Sequence, residues 1–481
     1  MRWGSPLDTW TCHGYSEEEA RIIIAWLVHE KKRLLRQARK RVGKASEKQN
    51  LPRHARNVIQ RKASKYKRPR THSLPKSLLV SQYRDVNLLN GIFPERGQIW
   101  KSVIHRPILA NPPTIKFENF SFVNNPVGTM EMLAEFVRTE CLFTQARLDF
   151  LDAECLDIGP YLVLQALRQH IAAVYLGGAI SVELQHVIDA VGLRAALQMA
   201  PFKQVKDQTE VWPFRLRQRR PSNSSMSVAR QLEPQTKESV ADEFIVAVDK
   251  WLSVVAQQEL TLDGRRLVQK MVGEALDNAE RHSQPNSNDG EWAMTGYLVK
   301  RGDAQTKDFR IHMAMLSVGA TIEESILSGP PDMLKRMNSY VARHRSRSQS
   351  EEALRTVFAL QDGVTKDRDA AAEGRGGTGF QDIFTFFSDL GATNSPLYRA
   401  ELVIISGNTC IKLFWPYLCG VQKGGDPVAE RELWFNQGNS PEFAPAPSNV
   451  FLLPCRLNGT LVSMAIPLDR TYLEATVDDS N

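Results

Sequence analysis

Glu274-Ala-Leu-Asp-Asn278-Ala-Glu-Arg-His282-Ser283 is the stretch on which the reading of this chain turns. Glu274, Asn278 and His282 recur at i, i+4 and i+8, so a helix stacks them on one face. Leu267, Met271, Val272, Ala275, Leu276 and Ala279 supply a separate apolar face for packing. A carboxylate one turn before an amide suits the orientation of water and of a hydrated Mg²⁺, which takes hard oxygen ligands and keeps several waters. The plain alternative is a solvated helix face closed by an i,i+4 hydrogen bond.

Downstream of this helix, 292–298 and 309–316 read as strands separated by a Gly302-Asp303 turn. The second strand leads into Ser317-Val-Gly319-Ala-Thr321, a strand-to-turn-to-helix transition. A long polar stretch follows, with Arg343-His-Arg-Ser-Arg-Ser-Gln-Ser inside it. Then Gly374-Arg375-Gly376-Gly377-Thr378-Gly379-Phe380 opens directly into an apolar helix. Glycines there let backbone N–H groups approach a phosphate, and the helix N-terminus adds its dipole. Residues 401–406 and 409–414 read as strands joined at Gly407-Asn408 in a hairpin. Gly459-Thr460 begins a last strong strand.

Upstream, 238–260 has the apolar period of a helix that packs on the next domain or forms a homodimer face. Residues 199–235 read as a connector in which Trp212 to Arg217 adds an edge strand. Before it, strands and helices alternate: a strand from Thr114 to Phe122, a helix over 128–140, a strand over 146–152, a helix over 158–171, a strand over 172–177 and a helix over 182–198. Successive βα units of this length imply a small mixed sheet covered by helices. Nearer the start, Ser16 with Glu17, Glu18 and Glu19 caps a helix. Residues 31–70 hold seventeen Lys or Arg against Glu47 alone. Since the whole chain carries +7, everything outside that segment sums to −9. Such a run binds nucleic acid without sequence preference through counterion release, or else solvates a tail.

At 481 residues the chain exceeds what one core usually supports. Cys12, Cys141, Cys155, Cys410, Cys419 and Cys455 form no CxxC pair and no Cys/His cluster with metal-ligand spacing. No apolar run approaches the roughly 18 residues of a membrane span, and no signal-peptide apolar region opens the chain. The expected location is cytoplasmic, with no membrane partner.

Taken in order, the acid/Asn helix, hairpin, Gly turn, polar segment, Gly-rich loop and Gly-Thr strand resemble the GHKL ATP-binding fold of gyrase B subunits, MutL, sensor histidine kinases and anti-sigma-factor kinases. Glu274-Ala-x-x-Asn278-Ala-x-x-His282 is similar to the N box, in a form nearest the anti-sigma kinases. The resemblance implies ATP and Mg²⁺ as cofactors, Asn278 as the Mg²⁺ ligand and Glu274 as the residue that polarises the attacking water or hydroxyl. Gly374, Arg375, Gly376, Gly377, Thr378, Gly379 and Phe380 resemble the G2 box and would hold phosphates, with 327–373 as an ATP lid. Thr460 would line the adenine pocket. Ser317-Val-Gly319-Ala-Thr321 stands where the family has Asp-x-Gly-x-Gly, so Ser317 replaces the carboxylate that reads adenine and Thr321 the second glycine. Replacing that charge costs about 1 to 3 kcal/mol where the donor is left poorly paired.

The α/β segment resembles the STAS-like fold of anti-sigma-factor antagonists. Leu156-Asp157-Ile158-Gly159-Pro160 stands where that family carries a phosphorylatable serine, so a docking role for a protein partner is implied rather than a phospho-switch. The expected architecture is therefore mixed α+β and α/β: a basic, partly helical arm over 1–111, a STAS-like α/β module over 112–216, a linker over 217–235, a GHKL α/β sandwich with a mixed sheet over 236–470, and a tail over 471–481. The leading functional expectation is an ATP-driven conformational switch with slow Mg-dependent hydrolysis in bacterial signalling. A non-hydrolysing nucleotide sensor or scaffold, and a protein kinase acting on a partner, stand beside it.

Overall fold

A computed structural model describes residues 83–101, 113–142, 146–171, 177–200, 210–219, 236–282, 290–301, 308–346, 349–364, 379–393, 399–422 and 430–470, with a few shorter pieces and single positions between them. The basic run at 31–70, apart from helical positions 32 and 36, lies outside the described residues, as do Gly374 to Thr378, the 302–307 turn and most of 172–176.

The elements in chain order are β1 (Leu78–Val80), α1 (Asn87–Ile92), α2 (Arg96–Ile99), β2 (Val103–His105), β3 (Thr114–Phe117), α3 (Pro126–Cys141), β4 (Arg147–Phe150), α4 (Gly159–Arg168), α5 (Val182–Ala190), α6 (Leu193–Ala196), β5 (Val211–Arg219), α7 (Lys237–Ala256) and α8 (Leu262–His282). They continue with β6 (Glu291–Arg301), β7 (Asp308–Val318), α9 (Ile322–Ile326), α10 (Pro331–His344), α11 (Glu351–Ala359), α12 (Gly379–Leu390), β8 (Glu401–Leu413), β9 (Val421–Gln422), β10 (Arg431–Glu432) and β11 (Val450–Leu468). The chain divides into two compact units, one formed by 1–85, 97–112 and 141–145, the other by 86–96, 113–140 and 146–481. In the first, β1 and β2 pair antiparallel, and Tyr83 meets Trp100 edge-on at 5.6 Å.

The second unit is built on a five-stranded sheet in the order β5-β6-β7-β11-β8. Every neighbouring pair is antiparallel. The expected mixed sheet is thus corrected. β7 and β8 do run the same way, as the helices connecting them require, but β11 inserts between them antiparallel to both. Among the described residues, parallel pairing is confined to β3 with β4 and the bridge from Ala146 to Tyr175. Trp212 lies in edge strand β5, as its sequence suggests.

Side chains alternate across the sheet and feed two cores. Met313 and Met315 join one with α7, α8, α10, α11 and α12, while Ala314 and Leu316 join the other with β3, β4 and α3 to α6. The α/β segment therefore covers one face of the same sheet whose other face carries the helices. Asp157 fastens the two: one carboxylate oxygen accepts from the N–H groups of Phe122 and Val123 at 2.8 and 3.2 Å, the other from Gly159 N–H at 2.9 Å and the β11 hydroxyl of Ser463 at 2.6 Å.

Three local expectations change. The first βα strand stops at Phe117, because Asp152 takes the N–H groups of Asn119 and Phe120 and Asp157 those of Phe122 and Val123, replacing a ladder with carboxylates. The helix expected over 182–198 breaks at Gly192, whose φ of 81° begins α6. No hairpin turns at Gly407-Asn408; β8 runs through it, with a bulge against β11. Gly407 has φ 63°, and a Cβ there would lie 1.8 Å from Glu352 Oε1, which instead accepts from Asn408 N–H at 2.9 Å.

Candidate functional site at the α8 and α12 junction

Helix α8 buries Val268, Met271, Val272, Leu276 and Ala279 against the helical core. Their spacing of three and four residues turns the remaining face outward. Lys270, Glu274 and Asn278 follow one another along that face at four-residue intervals, with Glu274 and Asn278 half-buried.

What half-buries them is the start of α12. A Cβ built on Gly379 would lie 3.2 Å from Glu274 Oε2 and 3.2 Å from Asn278 Nδ2, closer than ordinary contact. The missing side chain lets the backbone of the first turn lie directly on the carboxylate and amide. Two motifs a hundred residues apart in the sequence thus meet at one place. Helix α12 is twelve residues long, and its first-turn N–H groups, which have no partner within the helix, lie at this end.

An ion network holds the junction. Asp382, in the first turn of α12 and almost wholly buried, forms an ion pair with Lys270 Nζ at 2.9 Å and accepts a hydrogen bond from Arg431 at 2.9 Å. Arg431, from β10, also grips Asp362 through Nε at 2.8 Å and donates to Thr385 Oγ1 at 3.0 Å. The 362–364 turn, α12, α8 and β10 are therefore tied by one pair of carboxylates and one pair of cations. On the side of α8 facing α7, Asp277 pairs with Lys237 and with Arg281 at 2.8 Å.

Burial pushes the Glu274 carboxyl above its ordinary value, with Asp382 and Asp277 adding to the rise and Lys270 and Arg281 opposing it. A carboxyl so placed becomes ionised closer to neutral pH and is a better proton acceptor than a solvated glutamate. The Asn278 amide makes no hydrogen bond among the described residues.

The other expected residues fall into a second group, on the same face of the sheet. Ser317 lies opposite Thr460 in the register and donates to its carbonyl at 3.4 Å. Thr460 Oγ1 meets Ser406 Oγ at 2.9 Å, and Ser406 accepts from Ile322 N–H at 2.9 Å. Thr321 is the N-cap of α9 in a reciprocal capping box with Glu324. Gly319 donates its N–H to Asn458 O at 3.1 Å. At Gly459, with φ 145°, a Cβ would lie 2.0 Å from Ser317 O, so only glycine fits. These hydroxyls are largely spent on one another. Phe380 packs against the helical core beside Gly379, while Gly374, Arg375, Gly376, Gly377 and Thr378 lie outside the described residues.

No protein-family model, no curated protein and no solved structure matches the chain. Sequence reasoning passed over Lys270, Asp382, Asp362 and Arg431. Lys270 carried a signal, since it lies one turn before Glu274; Arg431 carried none, its partners being 49 and 69 residues away.

Proposed function

We propose that this chain binds a nucleoside triphosphate with Mg²⁺, ATP being the expected nucleotide, at the junction of α8 and α12, and that it works as a nucleotide-driven switch with slow hydrolysis. The observation carrying this reading is the direct apposition of the Gly379 backbone to Glu274 and Asn278. The first-turn N–H groups of α12, which lack partners within the helix, would hold phosphate oxygens. Among the described residues no group of three or more His, Cys, Asp or Glu side chains is placed to hold a metal. The donor set fits a cation that takes the Asn278 amide oxygen and fills its remaining positions with phosphate and water. When bound, Mg²⁺ would neutralise charge developing on the phosphates. Glu274, raised toward neutrality by burial, would accept the proton of the attacking water.

Calorimetry of the full chain with ATP, with and without Mg²⁺, tests the proposal. Mg-dependent binding weakened about tenfold or more in Asn278→Ala is expected; no heat of binding under either condition sinks the idea.

Nucleotide sensing without hydrolysis is the second reading, and one observation favours it. Most of the described residues of the segment expected to act as a lid are helical, and Met337, Leu354 and Val357 of α10 and α11 are wholly buried in the helical core. Phosphate release that is absent although ATP binds would select this reading over the first.

A further inference from the structure

We propose that Lys270 is the positioning residue of the Glu274 carboxylate: Asp382, itself held by Arg431, draws Lys270 along the α8 face so that its charge governs the charge Glu274 presents. The inference takes Glu274 to be the working carboxylate of the proposed nucleotide site, but its test needs no nucleotide.

Lys270 precedes Glu274 by one turn on the same face of α8, where i,i+4 side chains are neighbours. Left to itself, a half-exposed lysine samples many rotamers. Here its Nζ lies in an ion pair 2.9 Å from Asp382 Oδ2, on the helix whose first residue abuts Glu274 Oε2. Asp382 keeps its place because the other oxygen receives Arg431 at 2.9 Å, and Arg431 is in turn fixed by Asp362 through its side chain and by its own N–H at 2.9 Å. Each member is therefore held by a partner outside α8. Lysine and carboxylate face Glu274 with opposite signs: Lys270 favours its ionised form and Asp382 disfavours it. Among the described residues, the other charges acting on Glu274 are Asp277 and Arg281 of α8 itself. Asp277 is engaged by Arg281 and by Lys237 of α7, so neither is released when Lys270 or Asp382 is altered.

The experiment is a pH titration of the glutamate carboxyl carbons in the ¹³C-glutamate-labelled full chain, with Glu274→Gln identifying the Glu274 resonance. Lys270→Met should move its inflection upward by about half a pH unit or more, Asp382→Asn should move it downward by removing a repelling charge, and Lys270→Met made in the Asp382→Asn chain should shift it less than in wild type because the lysine is no longer held there; an equal shift in the two backgrounds would overturn the positioning role. Lys270→Arg should restore the wild-type position, and a thermal midpoint of Lys270→Met close to that of wild type shows that loss of the lysine has not unfolded the junction. A purely structural role for Lys270 would loosen the helix contact in both variants and shift Glu274 the same way in each. Shifts of one sign, or an inflection unmoved by Lys270→Met, overturn the proposal. Opposite shifts in a chain that fails to bind ATP uphold it while removing the nucleotide reading, so the two fail separately.

Discussion

Replacing Gly379 with alanine separates folding from function at the α8 and α12 junction. Two effects act in opposite directions. Alanine in place of glycine favours a helix by up to about 1 kcal/mol, and Gly379 is the first residue of α12. The new methyl, however, lies 3.2 Å from Glu274 Oε2 and Asn278 Nδ2, and 3.5 Å from Glu274 Cβ. The first two contacts are tighter than ordinary van der Waals separation, so the carboxylate and amide must retreat by a few tenths of an ångström. Both are the ends of flexible side chains, and the retreat costs the fold little. It costs the site more, since a 1 Å misplacement costs about 100-fold. Scaled from that figure, a displacement of a few tenths corresponds to a loss of roughly fourfold, about 0.8 kcal/mol. The expected variant is as heat-stable as the parent or more so, with Mg-ATP affinity or phosphate release down roughly fourfold; Gly379→Val should lose more. The assays are thermal unfolding, calorimetry and phosphate release on the same preparations. A stable Gly379→Ala chain with both nucleotide measurements unchanged would refute the argument that this contact defines the site.

Two further outcomes follow from the buried carboxylates. Glu274 has a folded-state value raised above its ordinary 4.5, so the native chain holds the proton more tightly than the unfolded one; the stability this gives is complete below the unfolded value and is lost as pH rises through the raised one. Thermal midpoints of wild type and Glu274→Gln should therefore diverge in favour of the glutamine as pH rises from 5 to 8, whereas a gap independent of pH contradicts the assignment. At Asp157, Ser463→Ala removes one short hydrogen bond to a buried carboxylate, expected to cost about 1.5 to 3 kcal/mol in urea unfolding. Asp157→Ala, which strands three backbone N–H groups and the hydroxyl, should cost more, and equal small losses in the two would show that this contact does not fasten the α/β layer to the sheet.

What the sequence discloses and what it hides divide along contact range. Helix α8 is legible because its burial follows its own period: Val268, Met271, Val272, Leu276 and Ala279 are buried, and the polar residues between them are what remains. The same period runs through Met333, Met337, Tyr340, Val341 and His344 of α10, all buried, but the Arg- and Ser-rich composition around it favours a loop reading. Period is the physical quantity and composition only its correlate, which is why the helix prevails. Gly407-Asn408 misleads for a different reason. Positive φ at glycine serves a hairpin and a bulge equally well, and only the carboxylate of Glu352, 56 residues away, decides between them by accepting the Asn408 N–H. Long-range carboxylates decide the α/β layer too, where Asp152 and Asp157 end β3 early by taking its next N–H groups. The candidate site follows the same rule. Glu274, Asn278 and Gly379 are visible because each belongs to a local pattern, whereas Asp382 and Arg431 acquire their roles only by meeting. Arg431 stands outside any motif and holds Asp362 on one side of 365–378 and Asp382 on the other. It sets the charge and the seating of the junction from a two-residue strand that no period marks. If the junction is the nucleotide site, its recognition groups are readable along the chain, and the groups that hold them in position become readable only once the chain has folded.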